Sequence, residues 1–241
     1  DHVYDSNVGW NKYNGWGSSY QSWMWKRHAG FDVVTYEGSG IQPTSHPHNL
    51  SKTPEMIWTK NRDNAQDWVV WHKNLGASGS NVNNQYIVLN SSAAELGNNN
   101  VYGGSSATAP TATHWTTGEH EKVNDHRYSY IALLFASVDG ISKVGTYTGN
   151  GSATERTITL GFQPRFIMVK NIDSSNEWEV LDTTRGWASG SNDQRTWLNG
   201  NWAQDTSLND IGGPTSTGFT ITETHANWNA NGDHYIYYAH A

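Results

Sequence analysis

The chain has 241 residues, with 13 Trp and 12 Tyr, 15% charged residues and a formal net charge of −7. This length admits one large β domain or two units of about 100 residues, and so little charge excludes a disordered acidic tail. No basic cluster exceeds Lys26-Arg27 and there is no cysteine, which excludes a nucleic-acid footprint, disulfide staples, thiol catalysis and thiolate metal sites.

No apolar run approaches the roughly 18 residues of a membrane span. The chain opens on Asp1, not Met, as expected of a fragment of a longer polypeptide. Residues 1–30 hold Trp10, Trp16, Trp23 and Trp25 among Gly, Asn and Ser. The segment 19–25 alternates polar and aromatic, a strand pattern. It runs into Phe31–Glu37 through Ala29-Gly30, much as residues 130–135 run into 144–151. We therefore expect 1–30 to be the last strand and linker of a preceding repeat, 31–138 a first repeat and 141–241 a second.

The repeat is clearest at residues 54–72, PEMIWTKNRDNAQDWVVWH, and 164–182, PRFIMVKNIDSSNEWEVLD. At an offset of 110 residues Pro54 meets Pro164, Lys60-Asn61 meets Lys170-Asn171, and Trp68 meets Trp178. Each copy reads as strand, polar turn, strand. Leu89-Asn90 and Leu198-Asn199 recur at equivalent places. Residues 111–117 are the expected counterpart of the alternating strand 218–222. Gly38-Ser39-Gly40 and Gly149-Asn150-Gly151 read as hairpin turns, and residues 91–96 as one helical turn capped by Ser91. Many short strands with little helical periodicity predict an all-β fold: two tandem β-sandwich repeats, jelly-roll or lectin-like, plus the terminal strand of a preceding repeat.

The chemistry-bearing residues point away from catalysis. Asp67, Glu177 and Asp182 flank the hairpins, but His72 stands where the second repeat has Asp182, so a shared acid pair is not repeated. Lys60 and Lys170 are expected to lay their stems on apolar surface with the amine in water. His46-Pro47-His48 is a weak metal candidate, which a threefold axis could assemble into a ring. His114, His120 and His126 recur at intervals of six, and polar-loop roles are expected for them. No nucleophile elbow or phosphate loop is present. No catalytic residue and no cofactor are expected. The loops at about 76–106 and 186–217 differ between the copies and carry aromatic residues. Trp187, Trp197, Trp202, Tyr86 and Tyr102 are therefore the candidate glycan contacts.

The chain resembles the repeated β-sandwich modules of tail-fibre and adhesin proteins of tailed bacteriophages of aquatic bacteria. The resemblance rests on GFDVVTY (30–36), PEMIWTKNR (54–62), DWVVWHK (67–73), residues 130–145 and GFQPRFIMVK (161–170). It implies a component of an extracellular virion fibre or spike, commonly a homotrimer that meets other tail proteins; the motif does not carry which host molecule is touched, and a host surface glycan is the expectation from the loop aromatics alone. The composition and the lack of a long apolar run add the expectation of neither nucleic acid nor membrane insertion. The implied function is structural and adhesive. A lectin-like receptor-binding module is the alternative, and a polysaccharide depolymerase the third reading. The segment His48–Thr53 departs from the Leu-Gly-Phe-Gln of residues 160–163, so a differently built turn is expected there.

Overall fold

A computed structural model describes residues 22–27, 30–76, 79–103, 107–205 and 210–241. The first half carries β1 (Phe31–Glu37), β2 (Thr44–Pro47), β3 (Met56–Asn61), β4 (Val69–His72), β5 (Gln85–Val88), β6 (Leu96–Gly97), β7 (His114–Thr117) and β8 (Ser129–Phe135). The second carries β9 (Ser142–Thr148), β10 (Arg156–Thr159), β11 (Phe166–Asn171), β12 (Glu179–Asp182), β13 (Arg195–Trp197), β14 (Pro214–Thr215), β15 (Gly218–Ile221) and β16 (His234–His240). The fold is all-β. Among the described residues no helix is long and apolar enough to cross a membrane.

Both expected hairpins form, in the same register. Ile57 faces Trp71 across β3–β4, and Ile167 faces Leu181 across β11–β12. Their turns are closed by one side chain each. The Oδ1 of Asn61 accepts the N–H groups of Asp63 and Asn64, and that of Asn171 those of Asp173 and Ser174. This is the local chemistry by which Asn makes a turn. The hairpins sit inside two antiparallel sheets of matching order, β1-β8-β3-β4-β5-β6 and β9-β16-β11-β12-β13. A two-stranded ribbon, β2-β7, accompanies the first, and a three-stranded sheet, β10-β15-β14, the second. Residues 114–117 thus pair as 218–221 do, each against the short strand that follows the Gly-x-Gly turn.

Those glycine turns are not hairpins. They carry the chain from a main sheet to its outer ribbon, since β1 pairs with β8 and β2 with β7. A Cβ on Gly38 or Gly149 would lie 2.0 Å from the carbonyl oxygen of Asp125 or Ala230, so only glycine fits this crossing. The segment 91–96 is not helical either. Ser91 Oγ accepts the N–H of Ala93, and Leu96–Gly97 pairs with β5.

Side chains alternate across each main sheet, and both faces are covered. Met56, Trp58, Val70, Ile87 and Phe135 point one way and meet Phe166, Met168, Trp178, Val180, Ile236 and Tyr238 of the second half in one core. Their neighbours Ile57, Val69, Trp71 and Leu134 close a core under β2-β7. Ile167, Val169, Leu181 and Tyr237 do the same under β10-β15-β14. The molecule is therefore four layers around three cores, with the main sheets back to back. This is why central strands such as β3, β8 and β11 carry apolar runs, Met56-Ile57-Trp58, residues 131–135 and residues 166–169. Among the described residues the shared layer holds 15 that are buried. At roughly 1.5–3 kcal/mol for a fully buried apolar side chain, neither half keeps its stability with that face in water.

The described end of the first aromatic stretch, residues 22–27, is not a strand. Trp10, Trp16 and Tyr20 lie outside the described residues. Trp25 instead packs at the end of the shared core, 5.7 Å from Phe31 and 6.3 Å from Phe166 between ring centroids.

The unusual turn before β3 is built like its counterpart. Ser51 adopts φ +60°, and Gly161, at the equivalent place, φ +91°. A left-handed L-residue costs roughly 1–2 kcal/mol, part of which glycine's freedom in the unfolded chain takes back. Ser51→Gly is expected to stabilise the protein by about 0.5–1 kcal/mol in urea titration; an unchanged or lowered midpoint would show that the serine is unstrained.

Candidate functional site

The five aromatic residues predicted to contact ligand separate into two groups. Trp187 is buried in the second core, its indole N–H donating to the Gly212 carbonyl at 2.9 Å. Tyr102 is buried with its hydroxyl on the Val69 carbonyl at 3.4 Å, and Tyr86 lies in the first core with the Lys122 amine over its ring. None of these three offers a ring face to a ligand, because each outer core is closed by few residues and draws the large loop aromatics inward. The other two come together. Trp197 on β13 is half-buried, and Trp202, 58% exposed, meets it edge-on at 5.4 Å and 80°.

The ground beneath this pair is ionic. Glu179 stands directly opposite Trp197 across β12–β13. Its Oε1 accepts from Arg195 Nη1 at 3.0 Å, from Trp197 Nε1 at 3.2 Å and from the Asn227 side-chain amide. Arg195 also reaches Asp205 at 3.3 Å, and its guanidinium lies 5.1 Å from the centre of the Trp197 ring. Burial pushes the Glu179 carboxyl up to about 7, against the opposing pull of Arg195. Sequence reasoning missed Glu179. The available signal was the exchange of Val69 for Glu179 at the repeat offset, a charge at a position that the first copy keeps apolar.

The other chemistry-bearing residues have local duties. Asp67 pairs with Lys122 and with Asn90, whose Oδ1 accepts the Trp68 N–H; Glu177 takes the amide of Asn199, whose Oδ1 accepts the Trp178 N–H. The repeated Leu-Asn pairs are thus clamps that hold the hairpin tryptophan strands. Asp182 caps the turn of Thr183–Arg185 and pairs with Arg185 at 2.7 Å. Lys170 corrects an expectation. Its amine is fully buried, held by the carbonyls of Asn171, Ser174 and, from the first half, Ser92, and burial lowers it to about 8. Lys60 donates to two local carbonyls, those of Asn61 and Asn64, and is half-buried.

The two candidate metal-ligating histidines are engaged within their own chain. His46 is buried between Tyr36 and Trp115, at 4.1 and 4.7 Å, and shares a hydrogen bond with Thr117 Oγ1 at 2.8 Å. His48 uses both ring nitrogens, donating to the Thr111 carbonyl and accepting the Leu50 N–H. His120 accepts from Lys122, and His126 sits 3.6 Å from Asp125. Among the described residues no group of three or more His, Asp or Glu could hold a metal ion.

An open groove of about 630 Å³ lies at the end of the shared core, lined by Trp23, Phe166, Arg165, Arg185 and His240 among others. Its ionic groups are partly spent within the fold, since Arg185 pairs with Asp182 and donates to Thr196, and His240 stacks on Phe166 at 5.0 Å. The Trp197–Trp202 pair is the better-formed contact surface.

The layered sheets and the aromatic patch define an all-β sandwich protein with a surface platform on its second half. Residues 2–241 match a family described as a domain of unknown function, DUF7483, and the chain belongs to that family. The match crosses both repeats, as does their common core. No curated protein and no solved structure matches the chain.

Proposed function

We propose that this chain is a non-enzymatic, structural and adhesive segment of a bacteriophage tail fibre, part of an extracellular virion homotrimer, that extends the fibre and presents the Trp197–Trp202 platform to a host surface glycan. The observation that carries the adhesive half is the exposure of Trp202. Most large aromatics of the described chain are spent in the three cores, whereas this one stands out of a rigid scaffold against a second indole. An exposed indole ring suits the apolar face of a sugar. The shared core supports the structural half, because it makes two repeats one stiff block. The tail-fibre assignment itself rests on the sequence resemblance.

Trp202→Ala tests the platform. Loss of a central aromatic anchor is worth on the order of 2 kcal/mol, about thirty-fold in affinity, while an exposed position shifts stability by no more than about 0.5 kcal/mol. Binding to an array of host surface glycans should fall accordingly at an unchanged melting midpoint. A wild type that binds no glycan would leave a shaft alone, and light scattering would then carry the test, with a trimer expected and a monomer against it.

A further inference from the structure

We infer that Glu179 is a positioning residue for the Trp197–Trp202 platform, and that protonation of this buried carboxyl loosens the platform's hold on a glycan. The inference rests on the reading of that platform given above and adds its regulation. Glu179 is 0% exposed. Its two oxygens are used unequally. Oε1 collects three donors, from Arg195, Trp197 and Asn227, while the buried Oε2 has no hydrogen-bond partner among the described residues. A proton taken from solvent can therefore settle on Oε2 without displacing any donor.

Two further carboxylates and one cation surround it. Arg195 on β13 is shared with Asp205 in the loop beyond, and Glu177 just ahead of β12 repels the charge on Glu179. Asn227 and Trp197 are neutral. Ionised Glu179 makes charge-assisted bonds to the Trp197 N–H and the Asn227 amide and draws Arg195 over the Trp197 ring. Such bonds are roughly twice as strong as neutral ones. Once the carboxyl is neutral, Arg195 is left to Asp205, and Trp197 loses the stronger form of both its anchors. Trp202 leans on that ring, so the exposed face follows. Desolvation of Glu179 outweighs the attraction of Arg195 and places the change near pH 7.

The test follows the Trp197 indole N–H resonance of the isotope-labelled full chain, assigned with Trp197→Phe, between about pH 5.5 and about pH 8.5. In the wild type it is expected to move with a midpoint near 7. In Glu179→Gln, which copies the neutral carboxyl, it should stay fixed. Glu177→Gln should move the midpoint to lower pH and gives a second variant if Glu179→Gln does not fold. Glycan affinity of the wild type should fall roughly five-fold from the upper to the lower pH, the worth of weakening one charge-assisted bond. Glu179→Gln should bind at the lower level at both. A resonance that does not move in the wild type, moves equally in Glu179→Gln, or keeps its midpoint in Glu177→Gln overturns the inference. A moving resonance with no glycan bound at any pH supports the role of Glu179 and overturns the glycan reading instead.

Discussion

Trp178→Ala is expected to destabilise both halves of the molecule at once, by about 3–5 kcal/mol. The side chain is 1% exposed in the core between the two main sheets, and its indole N–H donates to the Val88 carbonyl of the first half at 3.0 Å. Truncation leaves a cavity and strips a buried carbonyl of its donor, two penalties at one site. Against a total stability of about 5–15 kcal/mol, that is a large fraction. Because the lost contacts join the sheets, amides of β3 and β8 should lose exchange protection together with those of β11 and β16. Denaturant should still give one transition, at a lower midpoint. Two separated transitions, with only the second moved, would mean that each repeat closes its own core after all. The equivalent Trp68 is only half-buried against the same layer, so Trp68→Ala should be the milder change.

The hairpins were legible because their signals are local. A β-rich run, an Asn able to close the turn on two backbone N–H groups, and a second β-rich run recur at a constant offset. The Leu-Asn pairs were visible as equivalents, and only the structure gives them their role as clamps on Trp68 and Trp178. The back-to-back packing was not legible. A strand buried on both faces reads as an apolar run whichever partner covers it, and nothing in Phe166-Ile167-Met168-Val169 says that Phe166 and Met168 meet the other repeat while Ile167 and Val169 face their own ribbon. The loop aromatics could not be told apart in the sequence for a related reason. Trp187 and Trp202 lie in equally polar surroundings along the chain, and what separates them is whether the outer sheet reaches over the ring. The first finds Gly212 and Phe219, the second Trp197 and the backbone of Gly200 in its own loop.

The same buried interior should make stability depend on pH through His72. It ends β4 fully buried, accepts the Asn74 N–H on Nδ1, and burial, aided by the nearby Lys73 charge, depresses it from the ordinary 6.5 to about 3. The folded protein therefore keeps this ring neutral while the unfolded chain takes up a proton below about 6.5. Its contribution is full above that pH and is lost progressively as pH falls towards 3, at about 1.4 kcal/mol per unit. His46, lowered by burial to about 4, acts in the same direction. Glu179 and Asp193 oppose both. Burial raises them to about 7 and about 6, so each favours folding more as pH falls through those values towards the unfolded carboxyl range. The total profile thus mixes opposed terms, and the difference between wild type and His72→Leu isolates one of them. Measured by urea titration, the stability of the wild type relative to this variant should drop by about 2–3 kcal/mol between roughly pH 7 and pH 4.5. Parallel profiles would mean that His72 titrates alike in the folded and unfolded chains, which a ring sealed between two sheets cannot do unless the sheets separate. Exchange protection of the β4 and β16 amides at the lower pH would then tell an opened interface from a proton accommodated in place.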